Sequence, residues 1–397
     1  MEYRRAAIPA LIGGVLLTLL LWWAGASTQA LHLPGTADAL GGRIAAEFER
    51  WLTPWSYDPP ASVRFGAGAS GEIGEPAGAD GTRYLELYAT ALQIRFAAVF
   101  AFFVPGALLL LRRLPPVPGR LLAALLAVWG WGLVAGTLAV TVSAPWLIAA
   151  QGHGSYRFLP QLASVISSGR QILVLTALVA AAATVLAARV TAKGAGPAPQ
   201  EVVPARAARL AATAGTAMIA LSLVVLSYQS VAAALQTAFT GSGLFAEPGD
   251  LLRQWLLLGA WAGPTGASLG DWLLYRVVDV LLLAMVWWAL RRLPALLTRA
   301  TVPAMAVCAV CVTVLGLLAT QLLRVVLDGS SLRWDLLYLS GGLGGGVPAA
   351  LIWGLVAGTA ATVTLRLAVG HAETTGAGAG PDSDADATVS VQDPARS

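Results

Sequence analysis

The chain has 397 residues, 57% of them hydrophobic and only 12% charged, against about 25% charged in an ordinary soluble domain. That composition excludes a soluble enzyme, a nucleic-acid binder and a disordered chain, and points to an all-α, polytopic integral membrane protein. The net charge of +4 does not argue for nucleic acid, because the basic residues cluster at the ends of apolar runs, which is the footprint of membrane orientation.

Eight stretches are long and apolar enough to cross roughly 30 Å of hydrocarbon at about 1.5 Å per residue. They lie near 7–26, 88–111, 121–147, 170–189, 209–230, 271–290, 300–325 and 347–367. The first begins with Arg4 and Arg5 and ends in Ala24-Gly25-Ala26, which resembles a signal peptide. The apolar run is long for that role and a basic flank also suits a retained anchor, so it is read as a span. The segment 27–83 that follows is acid-rich. Arg112, Arg113 and Arg120 lie between spans two and three, and Arg189, Lys193, Arg206 and Arg209 between four and five. Arg291, Arg292 and Arg299 lie between six and seven, and Arg366 closes span eight. Eight crossings put all of these with Arg4 and Arg5 on one side. The positive-inside rule makes that side the cytoplasm of a plasma-membrane protein, with both termini there and segment 27–83 outside.

The halves share words in order. LRRLP occurs at 111–115 and 290–294, and Arg120 and Arg299 keep the same offset. Ser155-Tyr156-Arg157-Phe158 matches Ser331-Leu332-Arg333-Trp334. The expected architecture is therefore two parallel four-helix repeats, 1–190 and 206–371. A Pro/Gly/Ala linker, 191–205, joins them, and an acidic tail, 372–397, is expected to be disordered. Each repeat is expected to carry a short amphipathic helix in the interface after its first span, around Arg50-Trp51 and Arg253-Gln254-Trp255. A second word, WGLVAGT, falls at 131–137 and 353–359 in oppositely directed spans. An inverted repeat could be built on it, but nothing flanking agrees. Its physical content is two small faces for close packing, Gly132 with Gly136 and Gly354 with Gly358.

Charge inside a span is the best functional pointer in such a chain. Arg276 and Asp279 stand three apart on one face of span six and read either as a local ion pair or as part of a polar pathway. Gln93 and Arg95 occupy span two, where Arg95 can snorkel to the outer end or join the pathway. Arg324 and Asp328, four apart, suit an interfacial pair, and Pro105-Gly106 is a kink signal. Arg157 beside Phe158, and Arg333 beside Trp334, suit an external anion or lipid headgroup, or simple interfacial anchoring. Cys308 and Cys311 share one helix face and read as small packing residues ahead of a redox or metal pair. No metal, hydrolase or nucleotide-binding motif is present, and His153 near Ser155 and Asp328 is the weak enzymatic alternative.

The first functional expectation is a permease-like protein for a small or lipid-linked anionic solute, without a cofactor. The alternative is a non-catalytic membrane scaffold or regulatory subunit acting through a membrane partner protein. The expected partners are the bilayer, an anionic solute or lipid headgroup and that membrane protein, with no nucleic acid.

Overall fold

A computed structural model describes residues 3–33, 35–36, 41–59, 79–117, 119–151, 158–191, 203–237, 247–259, 269–327 and 346–377. Every regular element among them is helical. In chain order these are α1 (Tyr3–Ala26), α2 (Thr28–Leu31), α3 (Gly42–Leu52), α4 (Ala79–Arg113), α5 (Leu121–Ala150), α6 (Phe158–Ser167) and α7 (Arg170–Thr191). Then come α8 (Ala205–Ala220), α9 (Gln229–Thr237), α10 (Gly249–Leu256), α11 (Leu269–Leu296), α12 (Val302–Leu327) and α13 (Val347–Ala377). Eight helical stretches are long and apolar enough to span a membrane, in α1, α4, α5, α7, α8, α11, α12 and α13.

Two boundaries differ from the sequence reading. Helix α4 starts at Ala79, before the expected 88, because its first turns continue the helix beyond the apolar run. Helix α13 continues to Ala377, so residue 372 does not end it. The rest of the tail, and most of the linker at 192–202, lie outside the described residues.

Span five is not a uniform α-helix. Helix α8 runs into a π turn at Leu221–Leu226. Ser227 explains it locally: its N–H reaches the Ser222 carbonyl at 3.1 Å, and its hydroxyl donates to the same oxygen at 2.7 Å. A serine hydroxyl that bonds back to the helix competes with the regular ladder, and the widened turn leaves Ser222 Oγ directed at the Leu256 carbonyl, 2.7 Å away.

The spans close two rings. Helices α1, α4, α5 and α7 touch in succession, and α7 returns to α1; α8, α11, α12 and α13 do the same. The rings meet mainly through α5 and α12. Lipid tails are as apolar as leucine, so close van der Waals approach rather than hydrophobicity holds such helices together, and small residues supply it. A Cβ on Gly130 of α5 would stand 3.1 Å from the Cα of Cys311 on α12. Cys308 and Cys311 are buried free thiols. A Cβ on Gly132 would meet Ala177 at 2.9 Å, and one on Gly136 would meet Leu173 at 2.3 Å, both on α7. On α13, a Cβ on Gly354 would stand 2.5 Å from the Val310 Cα and one on Gly358 2.4 Å from the Ala306 Cα. Both glycine pairs thus face a neighbour within their own ring.

Pro105 leaves α4 continuous. The Trp131 indole donates to the Phe102 carbonyl at 3.0 Å and packs where a side chain on Gly106 would stand. The backbone loosened by Pro105 is therefore met by a tryptophan.

The arginine-rich ends gather on one face. Thr191 Oγ1 donates to the Arg5 carbonyl at 3.5 Å, and the Thr298 N–H donates to the Arg113 carbonyl at 2.9 Å. The second contact joins the first LRRLP word to the segment that follows the second, and Arg120 adds a bond to the Ala295 carbonyl at 3.4 Å.

On the opposite face each ring is closed by a descending segment that follows an amphipathic helix. In the first ring, Thr53–Ser56 follows α3, and Trp55 is fully buried, its indole donating to the Gly169 carbonyl at 2.9 Å. A Cβ on Gly25 would stand 1.9 Å from the Trp55 carbonyl, so only glycine fits there. In the second ring, Leu257–Gly259 follows α10. The Leu256 carbonyl accepts from Ser222 and, at 2.9 Å, from the Trp353 indole.

Candidate functional site

The spacing of Arg276 and Asp279 puts both side chains on one face of α11, and they meet at 3.1 Å. The second partner of Asp279 comes from another span: Arg324 of α12 reaches it at 2.9 Å. One buried carboxylate therefore divides its two oxygens between two guanidiniums. Asp279 is 5% exposed, whereas the Arg324 side chain is 39% exposed, so the cluster has one open edge. Trp272 lies 5.9 Å from the Arg276 guanidinium and Tyr275 5.9 Å from that of Arg324. The aromatic faces add favourable quadrupole contacts to the cations. Arg324 was expected to pair with Asp328; the structure joins it to Asp279, and Asp328 lies outside the described residues.

Arg95 does not snorkel. It is 1% exposed, among the largest fully buried side chains of the chain. Its Nε donates to Ser143 Oγ of α5 at 2.9 Å, its Nη1 donates to the Pro54 carbonyl, and its guanidinium lies over the Trp55 ring at 5.5 Å. Its Nη2 is buried without a hydrogen-bond partner among the described residues. The segment Thr53–Ser56 covers the end of the ring and closes the route to water that a snorkelling arginine needs. Tyr88 Oη donates to the Ser56 carbonyl at 2.8 Å, and the Ser56 and Thr28 hydroxyls lie 2.9 Å apart. The result is a polar layer around a cation held by carbonyl, hydroxyl and ring rather than by a carboxylate.

The remaining sequence candidates fall differently. Gln93 is exposed on α4 and does not share the burial of Arg95. Phe158 opens α6 half-buried. Arg157, Arg333, Trp334, His153 and Ser155 lie outside the described residues. Among the described residues no group of three or more His, Cys, Asp or Glu could hold a metal. Sequence reasoning missed Pro54, Trp55, Ser56, Tyr88 and Ser143, which surround Arg95, and also Arg170, buried at the head of α7 with its Nε bonded to the Ile166 carbonyl at 3.0 Å. The one local signal was Thr53-Pro54-Trp55 just after an amphipathic helix.

Eight apolar helices of spanning length are compatible with a multi-pass membrane protein that buries ionic groups inside both rings. No protein-family model, curated protein or solved structure matches the chain.

Proposed function

We propose that this is a permease-like protein of the plasma membrane acting on a small or lipid-linked anionic solute, built from two duplicated four-span halves. The observation that carries the reading is the sharing of Asp279 between Arg276 and Arg324. Ionisable groups at membrane depth are costly and are functional candidates by default. Here a resident carboxylate occupies two cations on neighbouring spans. An incoming anion that displaced it from Arg324, whose side chain is already partly open, would separate α11 from α12. Arg95 is the corresponding buried cation of the first ring. The same closed order of four spans in both rings is what the duplication reading expects.

A second reading is favoured by the pairing of Asp279 with two guanidiniums. Two open grooves lie along α1, and neither is lined by Asp279, Arg276 or Arg324. A scaffold or regulatory subunit that holds a membrane partner would need no path and could keep Asp279 as a purely structural joint between two spans.

Purified protein in proteoliposomes separates the two. Uptake of inorganic phosphate and transbilayer movement of a fluorescent anionic lipid are measured for the wild type and for Asp279→Asn. The permease reading expects flux of one of these probes and its loss in the variant. The scaffold reading expects flux of neither.

A further inference from the structure

Arg324 is the open member of the Asp279 cluster, and most of its donors are unspent. An arginine carries five N–H donors, and Arg324 gives one of them to Asp279. Its Nε is buried with no hydrogen-bond partner among the described residues. Its acid partner, Asp279, is divided with Arg276. Tyr275 lies over the guanidinium, so a ligand meets it edge-on, through its N–H groups. Gln321, three residues earlier on the same face of α12, also has a buried amide oxygen without a partner among the described residues. A cation with spare donors and an amide with a spare acceptor thus stand one helical turn apart.

Arg324 is the last residue of the apolar stretch of α12, at the end opposite the arginine-rich turns. Thr320 and Leu317 are buried on its side of the helix, whereas Leu322 and Val326 are exposed. At about 100° per residue those two point nearly the opposite way. The open edge of Arg324 therefore faces away from the lipid side of α12, and it suits a dissolved anion rather than a lipid headgroup.

We propose that Arg324 and Gln321 bind inorganic phosphate in its singly charged form, dihydrogen phosphate, an inference that rests on the reading of the Asp279 cluster as the anion site of a permease. The phosphate oxygens accept from the guanidinium in the charge-assisted geometry that arginine favours. A phosphate O–H donates to the Gln321 amide oxygen. The Asp279 carboxylate beside the guanidinium repels each further negative charge on the ligand. Sulfate has the same tetrahedral shape but two charges and no O–H, so it fails on both counts.

The test is the melting temperature of the full-length protein in a maltoside detergent, in slightly acidic buffer where phosphate is singly charged. Phosphate and sulfate are titrated separately, with ionic strength held constant by chloride. A ligand of the folded state raises the melting temperature as its concentration rises. The inference expects this of phosphate, with at least about tenfold more sulfate needed for the same shift. Arg324→Gln should raise the phosphate concentration needed by about tenfold or more, and Gln321→Leu by about threefold to tenfold. Asp279→Asn, which removes the repelling carboxylate, should lower it. Gln321→Leu and the comparison of the two anions on the wild type decide the matter if Arg324→Gln does not fold. No shift with phosphate, equal shifts with the two anions, or an Arg324→Gln protein that titrates like the wild type overturns the inference. Transbilayer movement of the anionic lipid without a phosphate-dependent shift also overturns it and leaves the permease reading standing. A phosphate-specific shift with flux of neither probe keeps the site and removes the permease.

Discussion

Arg324 on α12 donates to Asp279 on α11 at 2.9 Å, although 45 residues separate them in the chain. The bond makes Asp279 the joint between two spans rather than the partner of one residue on its own helix. Removing the carboxylate leaves two cations without their shared anion. Breaking a buried pair costs about 3–5 kcal/mol, and the open edge at Arg324 lowers that toward about 2–3 kcal/mol, because exposed pairs contribute far less. Asp279→Asn is expected to lower the melting temperature in detergent. Adding Arg324→Gln should recover part of the loss, whereas additive losses in the double variant would show that the pair is not coupled.

The small faces differ in what they touch, and this predicts an order. A methyl group on Gly358 meets the backbone of Met305 and Ala306, with contacts of 2.4–2.7 Å, and backbone cannot rotate away. A methyl group on Gly132 meets the Ala177 Cβ at 2.9 Å, a contact that a small helix shift relieves. Overpacking typically costs about 1–3 kcal/mol, so Gly132→Ala should fall within that range and Gly358→Ala above it. Gly370→Ala, whose Cβ would meet no neighbouring element within 4 Å among the described residues, should be neutral or gain up to about 1 kcal/mol from helix propensity. Chemical or thermal unfolding of the three variants gives the order directly.

The covered position of Arg95 makes the Thr53–Ser56 segment dependent on it. Arg95→Gln removes the bond to the Pro54 carbonyl and the stacking on Trp55, and Gly25→Ala pushes the Trp55 carbonyl away. Both variants should raise hydrogen–deuterium exchange of residues 53–57 while leaving α12 and α13 protected. Equal loss of protection in both rings would show that the segment does not act locally.

Cys308 and Cys311 are 2% and 1% exposed, and Cys311 lies against Gly130 of α5. A maleimide should leave both unmodified in the folded protein and modify both after denaturation. Modification in the native state would mean that the two rings separate at the α5–α12 contact.

The eight spans were legible because each is an apolar run of spanning length bounded by arginine or a turn, and spans two and six carry only a few polar residues within it. The Arg276–Asp279 pair was legible because residues three apart on a helix share a face. The partner of Asp279 on α12 was not, since spacing reports on one helix at a time and Asp328 offered a nearer, equally plausible acid for Arg324. Snorkelling, one of the two readings of Arg95, fails for a related reason. Its distance from the helix end suggests snorkelling, and only the return of Pro54 and Trp55 over that end removes the water. The π turn at Ser222 and Ser227 was hidden because two serines in an apolar run read as ordinary span residues until Leu256 and Gly259 are brought against them.

The most direct test of the account is whether water reaches the face that holds Asp279. Thr320 is buried one turn before Arg324 on the same face of α12. It is replaced by cysteine in a Cys308→Ala, Cys311→Ala background and exposed in nanodiscs to a membrane-impermeant maleimide, with a cysteine at the exposed position of Gln29 as the reference. The account predicts that Cys at this position is modified, more slowly than the reference, and that Asp279→Asn changes the rate. No modification while the reference reacts to completion would contradict a path at Asp279 and leave the scaffold reading in its place.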